Sequence, residues 1–321
     1  MQLVNISLAR PAAAYHGRRM EASVPVVFDP RAVRLHRARA AGSAHAVDFL
    51  AVEAAERLAE RLEVVKRAFP MALDLGCFTG ALARALGPRG GIGRLVSCDA
   101  ALACARRAPG DRVVADFEIL PFAADAFDLV LSNLALHWTN DLPGALVQIR
   151  RILRPDGLLL ASLWGGETLW ELRRALMEAE LEEEGGASPR VSPFADLRDL
   201  GALLQRAGFA LPVVDGDLIE VTYSDPLALM RELRFMGESN AVAERRKGFS
   251  RRATLLRAAT HYQALFAQAD GRIPATFQLI TLTAWAPHES QPKPLRPGSA
   301  AQRLAAALGA VERPAGDKAT P

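Results

Sequence analysis

The string LDLGCFTG at 73–80 constrains this chain more than any other feature. An apolar run, MALDLG (71–76), stops in a turn bearing two glycines and restarts as ALARAL (81–86) with helical spacing. Strand, tight turn and helix in this order open an α/β unit whose backbone a ligand can approach closely. The alternation continues. LVSCD (95–99) reads as a strand, ALACARRA (101–108) as a helix, VVAD (113–116) and FDLVLSN (127–133) as strands. PGALVQIRRIL (143–153) is a helix with Pro in its first turn, and LLLASLW (158–164) is a strand entered from the turn Arg154–Gly157. Five strands alternating with helices predict a parallel sheet covered on both faces, with right-handed crossovers. Ahead of the sheet, 46–67 sets Val47, Leu50, Ala54, Leu58, Leu62 and Val65 on one face of an amphipathic helix that Pro70 ends.

After residue 165 the pattern changes. Long helices are expected over 168–184 and 193–208, each closed by glycine, with strand material at 211–223, helices near 226–236 and 251–268, and a last strand at 276–286. The expected organisation is a variable arm (1–25), a helical segment (26–67), a cofactor-binding core (68–165), substrate-facing helices with the remaining strands (166–286) and a surface tail (287–321). The first 45 residues carry seven Arg and two acids, which suits either a transit peptide or an over-extended start with Met20 as the first residue; the second is the expectation adopted.

Composition removes several classes. A formal charge of +3 lacks the clustered excess of a nucleic-acid binder, so no nucleic-acid partner is expected. No apolar run reaches the roughly 20 residues of a transmembrane helix. Cys77, Cys98 and Cys104 have neither zinc nor iron–sulfur spacing and suit a reducing compartment. His137, His261 and His288 are scattered, with no H-x-D pair, and no metal site is expected.

Three acids carry the chemistry. Asp74 stands just before the glycine turn, where a carboxylate repels a dinucleotide's pyrophosphate and suits the ammonium end of S-adenosylmethionine. The turn G-C-F-T-G, from Gly76 to Gly80, also lacks the G-x-G-x-x-G spacing. Asp99 ends the second strand, where it can accept both ribose hydroxyls, and Asp116 ends the third, within reach of the adenine amino group. Each acid alone could be a helix cap; the set in this order converges on one crevice.

Over 70–165 the chain resembles the seven-stranded S-adenosylmethionine-dependent methyltransferases, which implies a Rossmann-like α/β fold with helical additions in the C-terminal half and S-adenosylmethionine as cofactor. Phe78 stands where those enzymes usually have Gly, so its ring is expected to narrow the cleft or turn outward. A narrower resemblance runs from about 26 to 300. FDPRAVRLHRARAA (28–41), LSNLALHWTNDLPGAL (131–146), WGGETLWELR (164–173), FMGESNA (235–241), PATFQ (274–278) and HESQPKPLRPGSA (288–300) look like the family of mitochondrial complex I assembly factors that act as protein-arginine hydroxylases, and its bacterial relatives. More distantly, the chain is similar to malonyl-acyl-carrier-protein methyltransferases.

That resemblance implies a protein substrate, a respiratory complex I subunit, in a bacterial cytoplasm or in the mitochondrial matrix of a eukaryote. A genuine methyltransferase acting on a small molecule or acyl carrier stays open, and so does a non-catalytic assembly chaperone. His137 follows the fourth strand and is the candidate base, with Trp138 and Trp164 as pocket walls; a capped loop and an ordinary core Trp are the plainer alternatives. A buried guanidinium needs carboxylates. Glu167 and Glu171, four apart, are expected on one helix face as that clamp, with Glu238 and Glu289 as further candidates.

Overall fold

The computed structural model describes residues 25–42, 48–292 and 308–311. Contacts divide the chain into a unit at 1–287 and a second at 288–321. Within the first unit lie helices α1 (Pro30–Ala40) and α2 (Phe49–Val64), strand β1 (Phe69–Leu75), α3 (Ala81–Leu86), β2 (Ile92–Asp99), α4 (Leu102–Ala105), β3 (Asp111–Val114), β4 (Phe127–Asn133), α5 (Leu142–Ile152) and β5 (Leu153–Trp164). There follow α6 (Trp170–Glu184), α7 (Leu197–Arg206), β6 (Ala210–Tyr223), α8 (Pro226–Met236), α9 (Arg252–Phe266) and β7 (Ile273–Trp285).

The seven strands form one sheet in the order β3-β2-β1-β4-β5-β7-β6. The first five run parallel, as the alternation requires. β7 enters antiparallel beside β5, from Leu158 opposite Trp285 to Trp164 opposite Leu279. β6 pairs only with β7, over Ala210 to Tyr223, and forms the outer edge. This is the Rossmann-like methyltransferase arrangement, with a mixed sheet in place of a wholly parallel one.

Burial explains the strand readings. Every residue of β4 is buried, which is why FDLVLSN is apolar without alternation. On α2, Leu50, Ala54, Leu58 and Leu62 are buried as the periodicity predicts, and Val65 caps the helix half-buried. Val47 lies outside the described residues. α2 packs its buried face on Leu129, Leu131, Leu158 and Leu160 of the central strands.

α1 has a different origin. Its sequence, PRAVRLHRARA, carries four arginines and no large apolar side chain on its buried face. It is helical because Asp29 accepts hydrogen bonds from the Arg31 and Ala32 amides and Pro30 occupies the first turn. It buries Ala32, Val33, Arg37 and Ala40. Arg245 on Asp29 (3.0 Å) and His36 Nδ1 on the Ser239 carbonyl (3.1 Å) tie it to the segment after α8.

Candidate active site

The turn after β1 is built around two left-handed glycines. Gly76 has φ +84°, and a Cβ there would lie 2.1 Å from the Ala135 Cβ, so only glycine fits. Gly80, at φ +76°, caps α3. Between them Phe78 adopts φ +45°, uncommon for a bulky residue. Its amide donates to Asp99 Oδ2 at 3.0 Å, which helps to hold it there.

Asp74, at the end of β1, is completely buried. Neither carboxylate oxygen has a hydrogen-bond partner. Burial first, and the nearby Asp99 charge second, push its pKa up to about 7, against a smaller opposing pull from Arg37. A carboxylate in that state lacks a cation.

Asp99, at the end of β2, is equally buried, and both of its oxygens accept hydrogen bonds. Its Oδ1 accepts the Ala101 amide at 2.8 Å, and its Oδ2 accepts both the Phe78 amide and Arg37 Nη2, the latter at 2.7 Å. Arg37 also donates to the Gly76 carbonyl at 3.2 Å, and its guanidinium lies 4.8 Å from the Phe78 ring centre. Burial disfavours the Arg37 charge, but the adjoining Asp99 carboxylate outweighs it and holds the guanidinium pKa above its ordinary value.

Asp116 lies two residues beyond β3 and is part-exposed. Its Oδ1 accepts the Glu118 amide and its Oδ2 is 3.6 Å from Arg34 of α1. Arg34 and Arg37, one helical turn apart, thus each face one of the three strand-end acids.

Beside the turn, a narrow cleft with a cavity volume of about 40 Å³ is lined by Cys77, Phe78, Asn133, Leu134, Trp164 and Glu238. The Phe78 ring is a wall of it and narrows it. A larger chamber, with a cavity volume of about 340 Å³, opens on the other side of Trp164 and Glu238, lined by Leu172, Leu176, Met230, Leu233 and Phe277 and by Ser192, Ser239, Asn240, Arg190, Arg245 and Arg246. Trp164 and Glu238 belong to both.

His137 sits in a 3₁₀ turn, Leu136–Trp138, just after β4. Its side chain is wholly buried, with rings of Trp138, Phe194 and Trp164 at 5.2, 5.7 and 6.5 Å. Its Nε2 lies 3.4 Å from Glu238 Oε2, and its Nδ1 has no partner. Trp138 packs edge-on against Phe28 and is part of a small core with α1 rather than a wall of either cavity.

Glu167 and Glu171 line neither cavity. α6 begins at Trp170, because Leu169 is left-handed at φ +56°, so Glu167 precedes the helix and is exposed. Glu171 is buried and occupied structurally, accepting the Thr276 amide at 3.2 Å and the Thr276 hydroxyl at 2.5 Å. The expected shared helix face of these two acids is therefore absent. Glu289 is an exposed residue of the 288–321 unit. Arg37 escaped the sequence reading because a buried arginine leaves no mark in hydropathy. The burial that also pushes the Cys77 and Cys98 thiols far above their ordinary range, and Cys104 up to about 12, leaves no thiolate nucleophile at neutral pH.

The methyltransferase-domain family matches residues 73–161, from β1 through most of β5. Arginine-hydroxylase NDUFAF5 of Danio rerio is 46% identical over 258 residues, covering 79% of this chain and 80% of that protein. The Homo sapiens protein of that name is also 46% identical, over 74% of its length. A malonyl-acyl-carrier-protein O-methyltransferase of Methylovorus sp. (strain MP688) is 38% identical, covering 81% of this chain and 90% of that protein. Among solved structures, the YcgJ protein from Bacillus superposes with a TM-score of 0.51 at 17% identity, over 72% of this chain and 98% of that one, a likeness of fold. The chain belongs to the methyltransferase-fold, S-adenosylmethionine-using family that includes arginine-hydroxylase NDUFAF5 and the malonyl-acyl-carrier-protein O-methyltransferases.

Proposed function

We propose that this chain modifies an arginine side chain presented by a protein partner, and that the partner is a subunit of respiratory complex I. The reading follows the name of its 46%-identical relatives and the resemblance of its flanking segments. The observation that carries it is the place of Glu238. Its side chain is 14% exposed, it faces both the cleft and the chamber, and it lies against the buried His137. A guanidinium leaving water needs such a carboxylate, since an unpaired buried charge costs several kcal/mol.

The residues divide the work as follows. The cofactor-facing group is Asp74, the Gly76–Gly80 turn with Phe78, Asp99 and Asp116. They fit S-adenosylmethionine, because Asp74 offers two unpartnered buried oxygens to a cation and carries no complement for phosphate. When bound, that cofactor supplies an activated one-carbon group on a sulfonium. Glu238 would accept N–H bonds from the guanidinium, Trp164 would offer it a stacking face, and Leu233 and Phe277 would hold the aliphatic stem. His137 would keep Glu238 oriented through its Nε2 and take or give a proton there.

The chamber favours a second reading. Its apolar wall of Leu172, Leu176, Met230 and Leu233 also suits an acyl chain, as the 38%-identical relatives' name would require. Either activity would operate in a bacterial cytoplasm or a mitochondrial matrix.

Glu238→Gln keeps the shape and removes the charge. The variant should bind S-adenosylhomocysteine within about twofold of the wild type, roughly 0.4 kcal/mol. Mass spectrometry of complex I subunits from cells carrying it should show the partner arginine unmodified. An arginine still fully modified would exclude Glu238 as its clamp. A wild-type and a deletion strain with identical subunit masses would favour the acyl-carrier reading or a non-catalytic assembly role.

A further inference from the structure

Two of the three strand-end acids are paired with α1. On Asp99 the pairing leaves little room. Oδ2 has two lone pairs, and both are spent, on the Phe78 amide and on Arg37 Nη2. Oδ1 has given one to Ala101 and keeps one. A ribose diol gripped by one carboxylate needs an acceptor for each hydroxyl. With Arg37 in place Asp99 can offer only one.

Arg37 also occupies space. It is 3% exposed, and its guanidinium lies between the Phe78 and Phe117 rings, 4.8 and 5.8 Å from their centres. Its Nε is buried without a partner, so the fit is incomplete for the arginine itself. One turn earlier Arg34 stands 3.6 Å from Asp116. The helix that carries both buries only small apolar side chains, Ala32, Val33 and Ala40, and is also held by polar ties, Asp29–Arg245 and His36–Ser239. Polar ties can be exchanged for others, and none of the buried apolar side chains of α1 is larger than Val33.

We propose that Arg37 is a built-in competitor for the ribose-binding carboxylate: α1 closes the cofactor site with its own cation, and S-adenosylmethionine binds only as Arg37 withdraws from Asp99. The proposal rests on the cofactor placement given above. It assigns Arg37 a role in setting cofactor affinity, and it makes α1 the element that must move for the cofactor to enter or leave. Arg34, on a part-exposed acid, has a minor share, since surface ion pairs contribute little.

The test is calorimetry on the full chain with S-adenosylhomocysteine as the probe. Arg37→Met keeps the length of the side chain and removes its charge. It should bind about tenfold more tightly than the wild type, the scale of one hydrogen bond to a charged group. Arg34→Met should stay within about twofold. A second measurement needs no variant. Amide hydrogen exchange over 30–40 in the wild type should speed up when the protein is saturated with the probe, because the helix leaves its seat. Equal or weaker binding by Arg37→Met would overturn the proposal, and so would slower exchange over 30–40 on saturation; both would make Arg37 a constituent of the bound site. If neither protein bound the probe, the cofactor placement itself would fall, and the proposal with it.

Discussion

Asp99→Ala is expected to destabilise the cofactor-free protein by about 3–5 kcal/mol, the cost of leaving one member of a buried ion pair without the other. The substitution strands the Arg37 guanidinium and removes the acceptor of the Phe78 and Ala101 amides as well. Phe78 then loses one bond that holds its left-handed backbone, so the turn should loosen with it. Adding Arg37→Met to Asp99→Ala should restore much of the loss, because a buried pair replaced as a pair costs far less than a pair broken. Urea unfolding of the two single variants and the double variant measures this directly. Additive losses would mean that the two side chains do not act as a pair.

The second large effect concerns pH. The Asp74 carboxyl titrates near 7 in the folded protein against 3.8 in an ordinary setting. A folded pKa above the unfolded one means that the group costs nothing below about pH 4 and that stability is lost as the pH rises through 7. At about 1.4 kcal/mol per pH unit, that gap corresponds to a loss of about 4 kcal/mol by pH 8. Asp74→Asn has no such titration. It should match the wild type near pH 4 and exceed it in stability by about that amount at pH 8, while binding the cationic cofactor less well. Urea unfolding midpoints from pH 4 to 9 should therefore diverge, and parallel curves would show that Asp74 is not held as an isolated buried carboxyl. Stability surrendered at one residue for the sake of a ligand is the usual signature of a binding site.

Much of the fold can be read from apolar patterning, and the reasons differ along the chain. FDLVLSN coincides with β4, and PLALMRELRFM with α8, because one is buried on both faces and the other is capped by Asp225 and closed by Gly237. The direction of β7 is not encoded locally. Only its pairing with β5 and β6 makes it antiparallel, and residues far apart in sequence decide that. The acids Asp74, Asp99 and Asp116 are legible because they stand at or just past the ends of parallel strands. Their partners are not: Arg37 comes from a helix whose sequence looks like a solvated, charged segment. The pair Glu167 and Glu171 misleads for a smaller reason. A four-residue spacing implies a shared face only inside a helix, and Leu169 delays the helix past Glu167. Glu238 gains its place by following the helix α8 that lies under the chamber, a position no spacing rule points to.

The fourteen-residue β6 forms one rim of the sheet, and among the described residues no strand lies beyond its outward backbone groups. A rim of that length is a template on which another extended chain can add itself. The sequence guards it. Asp215 and Asp217 stand in the strand on either side of Gly216, and their carboxylates are drawn by Arg61 and Arg57 onto α2. An incoming strand would have to bring its backbone against these charges, and a second copy of this chain would bring the same charges with it. The opposite rim, β3, is only four residues long and offers too little ladder to zip. The two edges thus differ in kind, one long and carrying charged pairs, the other short.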